Sequence, residues 1–210
     1  MISHKHKFIF IHINKTGGTS IENSLAPYAD EELEIDSLGG VEFFGQKHNS
    51  LQMFENDANK HHGFKNYFKF SIVRNPWDRI VSTYFYRLHI LQDPKMYHCS
   101  SQGRRPILFK DFVLDKEKFT FTRTLSRFTQ KDFLIDSTGK VGTNFVGKFE
   151  NLQEDFNIIC DKIGIPRQTL PHKYGTKHLH YTDYYDEESK LEIYKYFKED
   201  IEYFDYKFGE

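Results

Sequence analysis

The sequence predicts an α/β protein built on a parallel sheet flanked by helices. Three short segments, Phe8–Ile13, Phe68–Val73 and Phe145–Phe149, are predicted to be strands. The first is an apolar run interrupted only by His12, which fits a central strand covered on both faces. A segment with helical periodicity follows each run, and strands that alternate with helices are typical of parallel sheets. Such sheets bind ligands at the carboxyl ends of their strands, so we expect the functional residues in the loops that follow these runs.

In the first half of the chain, the predicted helices are bounded by capping residues and prolines. His12 interrupts the first apolar run, and we interpret it as a core histidine. Thr19–Leu25 is predicted to be a short helix that ends ahead of a proline. Ser50–Ala58 is predicted to be another, capped by Asn49, and Asn75 is predicted to cap a longer helix with a proline in its first turn.

The second half is predicted to contain one irregular region and two helices. Residues 91–127 are locally basic and lack periodicity, so we expect an inserted loop region with a little helix. Asn151 with Glu154 is similar to a capping box at a helix start, and Gly164 is expected to end that helix. The last predicted helix runs from Glu187 to Phe204.

Length, charge and cysteine content narrow the class of protein. The chain has 210 residues, which fits a single domain over residues 1–210 with a sizeable core. Its formal net charge is -1, so no global basic field indicates nucleic acid as a partner. We interpret Cys99 and Cys160 as reduced thiols. No apolar run reaches transmembrane length and no signal-peptide pattern is present, so the predicted location is the cytoplasm.

The loop after the first strand, Lys15–Ser20, has the composition of an anion site. Its two glycines, Gly17 and Gly18, let the backbone approach a ligand closely, and the following helix offers its N–H groups and the positive end of its dipole. Lys15 adds a full positive charge. The hydroxyl donors of the loop belong to Thr16, Thr19 and Ser20. The alternative is a tight strand–helix turn with a solvated lysine.

This loop is P-loop-like without being a Walker A motif. The Walker lysine follows the glycines, whereas Lys15 precedes them. A second candidate anion site follows Phe68–Val73: Arg74 ends the strand, and Ser82 lies two turns into the next helix. An arginine fork and a serine hydroxyl could bind one anion. The alternative is an Arg–carboxylate surface pair and a serine on a helix face.

Together, the two motifs resemble the nucleotide-dependent sulfotransferases, and the match looks closest to the carbohydrate sulfotransferase branch and its bacterial-type soluble relatives. The Lys-Thr-Gly-Gly-Thr-Ser loop is similar to the 5′-phosphosulfate loop of that family, and Val73–Ser82 is similar to its 3′-phosphate motif. The resemblance spans nearly the whole chain and continues in Phe145–Leu152, Leu170–His172 and Tyr184–Phe208.

The resemblance implies a sulfuryl donor, 3′-phosphoadenosine 5′-phosphosulfate (PAPS), with no metal site, and a three-layer fold around a mainly five-stranded parallel sheet. It also implies that Lys15–Ser20 binds the 5′-phosphosulfate, while Arg74 and Ser82 bind the 3′-phosphate. Lys177 is implied as a further 3′-phosphate contact, in a region where Tyr174 stands in place of a usual Asn. PAPS carries charge at two separated points, which agrees with two separated anion motifs.

Sulfuryl transfer to a hydroxyl needs in-line geometry, a base for the hydroxyl, and stabilisation of the leaving phosphate. We expect Lys15 to meet the charge that develops on that phosphate. His48 is the candidate base, because in the resembling family a histidine between the two nucleotide motifs precedes a short helix in this role. His61, His62 and Glu22 are the alternatives for the base.

The expected activity is therefore that of a PAPS-dependent O-sulfotransferase, whose acceptor is a carbohydrate or a small-molecule hydroxyl according to the family branch. The sequence leaves the acceptor and the oligomeric state open. Two other functions also remain open. One is a nucleotide-binding module without catalysis. The other is an ATP-dependent kinase, although the sequence lacks the Walker lysine position and an evident metal-holding aspartate after a strand.

Overall fold

A computed structural model describes residues 1–29, 49–55, 64–89, 97–100, 103–114, 129–171 and 178–210. The strands are β1 (Ile2–Ser3), β2 (Phe8–Ile11), β3 (Phe68–Val73), β4 (Tyr97–Ser100), β5 (Gly103–Pro106) and β6 (Phe145–Lys148). The α-helices are α1 (Gly18–Leu25), α2 (Pro76–His89), α3 (Phe109–Leu114), α4 (Gln130–Leu134), α5 (Leu152–Ile163), α6 (Glu187–Tyr196) and α7 (Lys198–Tyr203). Residues 51–55 are also helical.

The main sheet has the strand order β1-β2-β3-β6. The pairs β2–β3 and β3–β6 are parallel, whereas β1 is antiparallel to β2. In the part of the chain described here the sheet thus has four strands and is mostly parallel, where the family resemblance implied a mainly five-stranded parallel sheet. The three predicted strands supply the parallel strands, and the fourth strand is a two-residue segment too short to carry a periodic signal.

The first of two compact units comprises Met1–Arg74 and Phe128–Lys173. It contains the main sheet with α1, α4 and α5. Phe10 and Phe70 are direct partners in the β2–β3 register, and their rings stack with centroids 5.2 Å apart. The buried core also includes Phe8, Ile21, Leu25, Ile72, Phe156, Ile159, Cys160, Ile163 and Ile165.

The second compact unit comprises Asn75–Arg127 and Tyr174–Glu210. It contains α2, the antiparallel hairpin β4–β5, and the helices α3, α6 and α7. The Trp77 indole anchors α2 to α6, since its Nε1 donates a hydrogen bond to the Lys190 carbonyl at 3.0 Å. The buried core includes Ile80, Val81, Tyr84, Leu88, Ile107, Phe109, Phe112, Val113, Tyr181, Ile193, Phe197 and Ile201.

Several predicted elements are confirmed. The strand Phe68–Val73 has the predicted bounds, and the predicted cap of α2 is present, because the Asn75 Oδ1 accepts a hydrogen bond from the Trp77 N–H at 3.1 Å. Gly164 ends α5 with a φ of 71°, in the left-handed region that glycine adopts without a steric penalty. The predicted helix at 50–58 is helical over 51–55, and residues 56–58 lie outside the described residues.

Three local predictions are wrong. The region 91–127 contains the hairpin β4–β5, which was expected to be irregular loop. Asn151 precedes α5 without a side-chain capping bond, because a 3-10 turn over Phe149–Asn151 places it at φ -121° and ψ 32°. The predicted helix Glu187–Phe204 is two helices, α6 and α7, which meet at Phe197 with a φ of -110°.

Candidate functional site

The candidate site lies at the carboxyl edge of the main sheet, in the first unit. The strands β2, β3 and β6 are parallel neighbours, so their carboxyl ends lie at one edge. The chain continues from these ends into the loop Lys15–Ser20, into Arg74 and into Phe149. The fold thus brings the first anion motif and the arginine of the second motif to the same edge of the sheet.

The loop has an unusual backbone. Lys15 has a φ of 65° and Gly17 a φ of 81°, both in the left-handed region. Glycine adopts this conformation readily, whereas a lysine there carries strain of a kind that clusters at functional sites. The Thr16 hydroxyl is buried and donates a hydrogen bond to the Ile13 carbonyl at 2.8 Å, which closes the loop on itself. An anion contact of Thr16 would therefore fall to its backbone N–H.

The loop leads directly into the N-terminus of α1. Gly17 is the N-cap residue and provides no side-chain capping bond. Its carbonyl accepts a hydrogen bond from the Ser20 N–H at 3.0 Å, so the first turn is tightly wound. The Thr19 side chain is partly exposed and that of Ser20 is buried. The positive end of the helix dipole faces the loop, where a negative ligand would be stabilised.

Both glycines are sterically required. A Cβ at Gly18 would lie 2.0 Å from the His12 Cδ2 and 2.1 Å from its Nε2. A Cβ at Gly17 would lie 2.8 Å from the Leu152 Cδ2 and 3.1 Å from the Phe149 Cδ2. Real Cβ atoms do not approach neighbours to 2.0 Å, so a larger residue at position 18 must displace the imidazole or the loop.

Arg74 is buried and held from several sides. Its Nη1 donates a hydrogen bond to the Lys15 carbonyl at 3.1 Å, and its guanidinium carbon lies 4.0 Å from the centre of the Phe149 ring. The buried Gln130 side chain binds both backbone groups of Arg74: its Oε1 accepts from the Arg74 N–H and its Nε2 donates to the Arg74 carbonyl, each at 2.9 Å. These contacts fix the direction of the arginine fork.

The surroundings of Lys15 lower its pKa. Burial, and then the nearby positive charge of Arg74, lower the pKa of Lys15 to about 8. A lysine with this pKa still carries its proton in most molecules at neutral pH. It is more easily deprotonated than a surface lysine, and an anion bound nearby would favour its charged form.

His12 and Glu22 form a largely shielded pair in the same unit. The His12 Nδ1 lies 2.8 Å from the Glu22 Oε1, and the His12 residue is only 5% exposed. The strand β2 ends at Ile11, two residues earlier than predicted, so His12 lies beyond the ladder and contacts Glu22 in α1. The interpretation of His12 as a core histidine agrees with its burial.

The remaining predicted site residues lie elsewhere. Ser82 is buried in α2, in the second unit. The candidate base His48 and the 3′-phosphate candidate Lys177 lie outside the described residues, as do the alternative bases His61 and His62. Within the described ranges, no three His, Cys, Asp or Glu side chains are grouped closely enough to hold a metal ion.

Sequence reasoning missed Gln130, Phe149 and the pairing of His12 with Glu22. Gln130 is 56 residues from the backbone groups that it binds, and nothing in its local sequence marks it. Phe149 was predicted only as the last residue of a strand. The signal for it was its place at the carboxyl end of the third parallel strand, where ligand sites of such sheets lie.

Comparison with known proteins gives the family. A sequence model described as the sulfotransferase family matches residues 1–207, which is nearly the whole chain. The chain belongs to the sulfotransferase family. Membership implies transfer of a sulfuryl group to an acceptor, and the loop Lys15–Ser20 and Arg74 both lie within the matched residues.

The comparison with individual proteins found a similar protein but no solved structure. The chain is similar to an uncharacterized protein of Archaeoglobus fulgidus, with 29% identity over 106 residues that make up 50% of this chain and 74% of the relative. No solved structure matches the chain at a significant level. None of the helices in the described ranges has both the length and the apolar character that spanning a membrane requires.

Proposed function

We propose that this sulfotransferase moves the sulfuryl group of PAPS to a hydroxyl of a carbohydrate or small-molecule acceptor. The observation that carries the proposal is the hydrogen bond of Arg74 to the Lys15 carbonyl, 3.1 Å long. It joins the loop that resembles a 5′-phosphosulfate site to the arginine of the motif that resembles a 3′-phosphate site. A donor with negative charge at two points needs cationic groups held at a fixed separation.

The residues at the sheet edge fit such a donor chemically. Gly17 and Gly18 let the loop pack closely against its neighbouring side chains, and the N-terminus of α1 favours an anion there. Lys15 and Arg74 supply the positive charge. In this proposal the loop Lys15–Ser20 holds the 5′-phosphosulfate, and Arg74, Ser82 and Lys177 bind the 3′-phosphate, which distinguishes PAPS from ATP.

The proposed reaction is an in-line displacement at sulfur. The acceptor oxygen forms a bond to sulfur while the bond from sulfur to the bridging phosphate oxygen breaks. The hydroxyl proton passes to His48, whose imidazole can accept a proton near neutral pH. Lys15 stabilises the negative charge that develops on the departing 5′-phosphate. Glu22 already binds His12, which favours His48 over Glu22 as the base.

The acceptor assignment rests on the resemblance to the carbohydrate branch of the family. We propose a glycan precursor, a lipid-linked sugar or a small metabolite with a free hydroxyl, and a cytoplasmic location. The region around Arg105, which is exposed on the hairpin β4–β5, is a candidate acceptor surface because its positive charge would suit an anionic sugar.

Turnover tests the proposal directly. The protein is incubated with PAPS and a panel of sugar, lipid-linked sugar and small-alcohol acceptors, and release of 3′-phosphoadenosine 5′-phosphate is measured. We expect His48→Ala to lower kcat by about 10²–10⁴-fold with little change in nucleotide affinity. His61→Ala and His62→Ala are the matched controls and should retain activity. Nucleotide binding without turnover of any acceptor would favour the non-catalytic module, and turnover of ATP instead would favour the kinase.

A further inference from the structure

The pair formed by His12 and Glu22 connects the end of β2 to the second turn of α1. The distance from the His12 Nδ1 to the Glu22 Oε1 is 2.8 Å, and both side chains are largely shielded from solvent. An ionised carboxylate can only accept a hydrogen bond, so with Glu22 ionised the Nδ1 carries the hydrogen. This bond fixes the rotation of the imidazole. The proposed reaction makes no use of either residue.

The other edge of the imidazole faces the anion loop. A Cβ built on Gly18 would meet the His12 Cδ2 at 2.0 Å and its Nε2 at 2.1 Å. The ring face stacks on Phe10, with centroids 5.6 Å apart and planes inclined by 17°. The ring is thus held by Glu22, by Phe10 and by the first residue of α1. Because Gly18 has no Cβ, the helix N-terminus can lie directly against the ring.

We propose that His12 and Glu22 are positioning residues for the 5′-phosphate of the nucleotide. Their hydrogen bond sets the separation of the end of β2 from α1. The edge of the imidazole ring sets the position of Gly18, the first residue of α1. This inference rests on the proposed function, because it assigns the pair a role in binding the 5′ end of that donor. The pair acts through the backbone of the loop and takes no proton from the acceptor.

Two nucleotides that differ only at the 5′ position isolate this role. The dissociation constants of 3′-phosphoadenosine 5′-phosphate and of adenosine 3′-monophosphate are measured by calorimetry. The ratio of the constant for adenosine 3′-monophosphate to that for the bisphosphate reports what the 5′-phosphate contributes. We expect Glu22→Ala to lower this ratio about tenfold, whereas Glu22→Gln, which can still bind the imidazole, stays near the parent. The affinity for adenosine 3′-monophosphate should change by less than about twofold.

A control separates positioning from general destabilisation. Ser3 is fully buried and pairs with Phe8 at the amino end of β2. Its hydroxyl donates a hydrogen bond of 2.6 Å to the Tyr28 carbonyl. Ser3→Ala should lower the unfolding midpoint without altering the ratio. If Glu22→Ala also leaves the ratio unchanged, or if Ser3→Ala lowers it equally, the positioning role is overturned.

A coupling measurement covers the case in which Glu22→Ala does not fold. Gly18→Ala should lower the ratio about tenfold or more in the parent, because the new methyl group displaces the imidazole. In a His12→Ala background it should add less than about twofold, since nothing remains to be displaced. Equal effects in both backgrounds would overturn the inference. A parent that binds neither nucleotide would instead overturn the proposed function, and this inference with it.

Discussion

The guanidinium of Arg74 donates a hydrogen bond of 3.1 Å to the backbone carbonyl of Lys15, from the end of one parallel strand to the loop after its neighbour. The bond places two cationic residues, 59 positions apart in sequence, at one edge of the sheet. Their mutual repulsion contributes to the lowered pKa of Lys15. The site therefore holds positive charge that a bound polyanion would stabilise.

Nucleotide affinity should depend on pH through Lys15. Its pKa of about 8 means that the free protein loses this charge as the pH rises through 8. We expect the dissociation constant for 3′-phosphoadenosine 5′-phosphate to rise above pH 8, by up to about tenfold per pH unit. Lys15→Arg is the matched control, because arginine keeps its charge; an equally steep rise in that variant would contradict the assignment.

The same lowered pKa predicts a stability effect. The pKa of Lys15 is about 8 in the folded chain and 10.5 in the unfolded chain, so the folded state binds this proton less tightly. Below pH 8 both states carry the proton, and the charge of Lys15 then lowers the free energy of unfolding by its full amount. Between about pH 8 and 10.5 this loss of stability becomes smaller as the pH rises, because only the unfolded state still binds the proton. Lys15→Met should thus raise the unfolding midpoint at pH 7 by roughly 2–4 °C, with a smaller gain at pH 10, while activity is lost. A lower midpoint at pH 7 would contradict this.

Phe149 should contribute to nucleotide affinity through its contact with Arg74. The ring lies 4.0 Å from the guanidinium carbon, and such contacts contribute about 0.5–2 kcal/mol. We expect Phe149→Ala and Phe149→Leu to weaken binding of 3′-phosphoadenosine 5′-phosphate by about 2- to 30-fold, and Phe149→Tyr to stay close to the parent. The measurement is calorimetric titration of each variant. A Leu variant that binds as the parent does would show that the aromatic face is not needed.

Much of the architecture could be predicted because the relevant signals are local. The strand Phe68–Val73 has the bounds that its sequence indicated, and the left-handed Gly164 ends α5 as its sequence position indicated. The hairpin β4–β5 was missed because each strand has only four residues, and Gly103–Pro106 shows no alternation of apolar and polar residues. The break at Phe197 was missed because the apolar register continues across it.

Some residues of the candidate site could likewise be predicted from the sequence, and others could not. Lys15 and Arg74 could be identified from the residues around them, since strand, glycine, cation and helix start coincide. The contact of Gln130 with Arg74 and that of His12 with Glu22 depend on how separate elements pack. No local pattern marks a glutamine 56 residues away or tells a paired histidine from an isolated one.

Asn75 offers a test of the second unit by itself. Its Oδ1 caps α2 by accepting from the Trp77 N–H at 3.1 Å, and its Nδ2 donates to the Lys207 carbonyl at 2.9 Å. Asn75→Ala removes the cap and the donor, and should lower the free energy of unfolding by about 2–3 kcal/mol. Asn75→Ser keeps a neutral acceptor for the cap, without burying a charge, and should lose less. Denaturant unfolding measures both, and equal losses would show that the cap contributes nothing.

The central claim is that the edge binds a nucleotide with phosphates at both the 3′ and the 5′ positions. The most direct test is thermal unfolding with 3′-phosphoadenosine 5′-phosphate, compared with ATP and magnesium and with AMP. A ligand at a hundred times its dissociation constant stabilises by about 2.7 kcal/mol, which gives a clear shift of the midpoint. We expect a shift with the bisphosphate alone, and we expect Arg74→Ala to abolish it. A shift with ATP instead, or with no nucleotide, would contradict it.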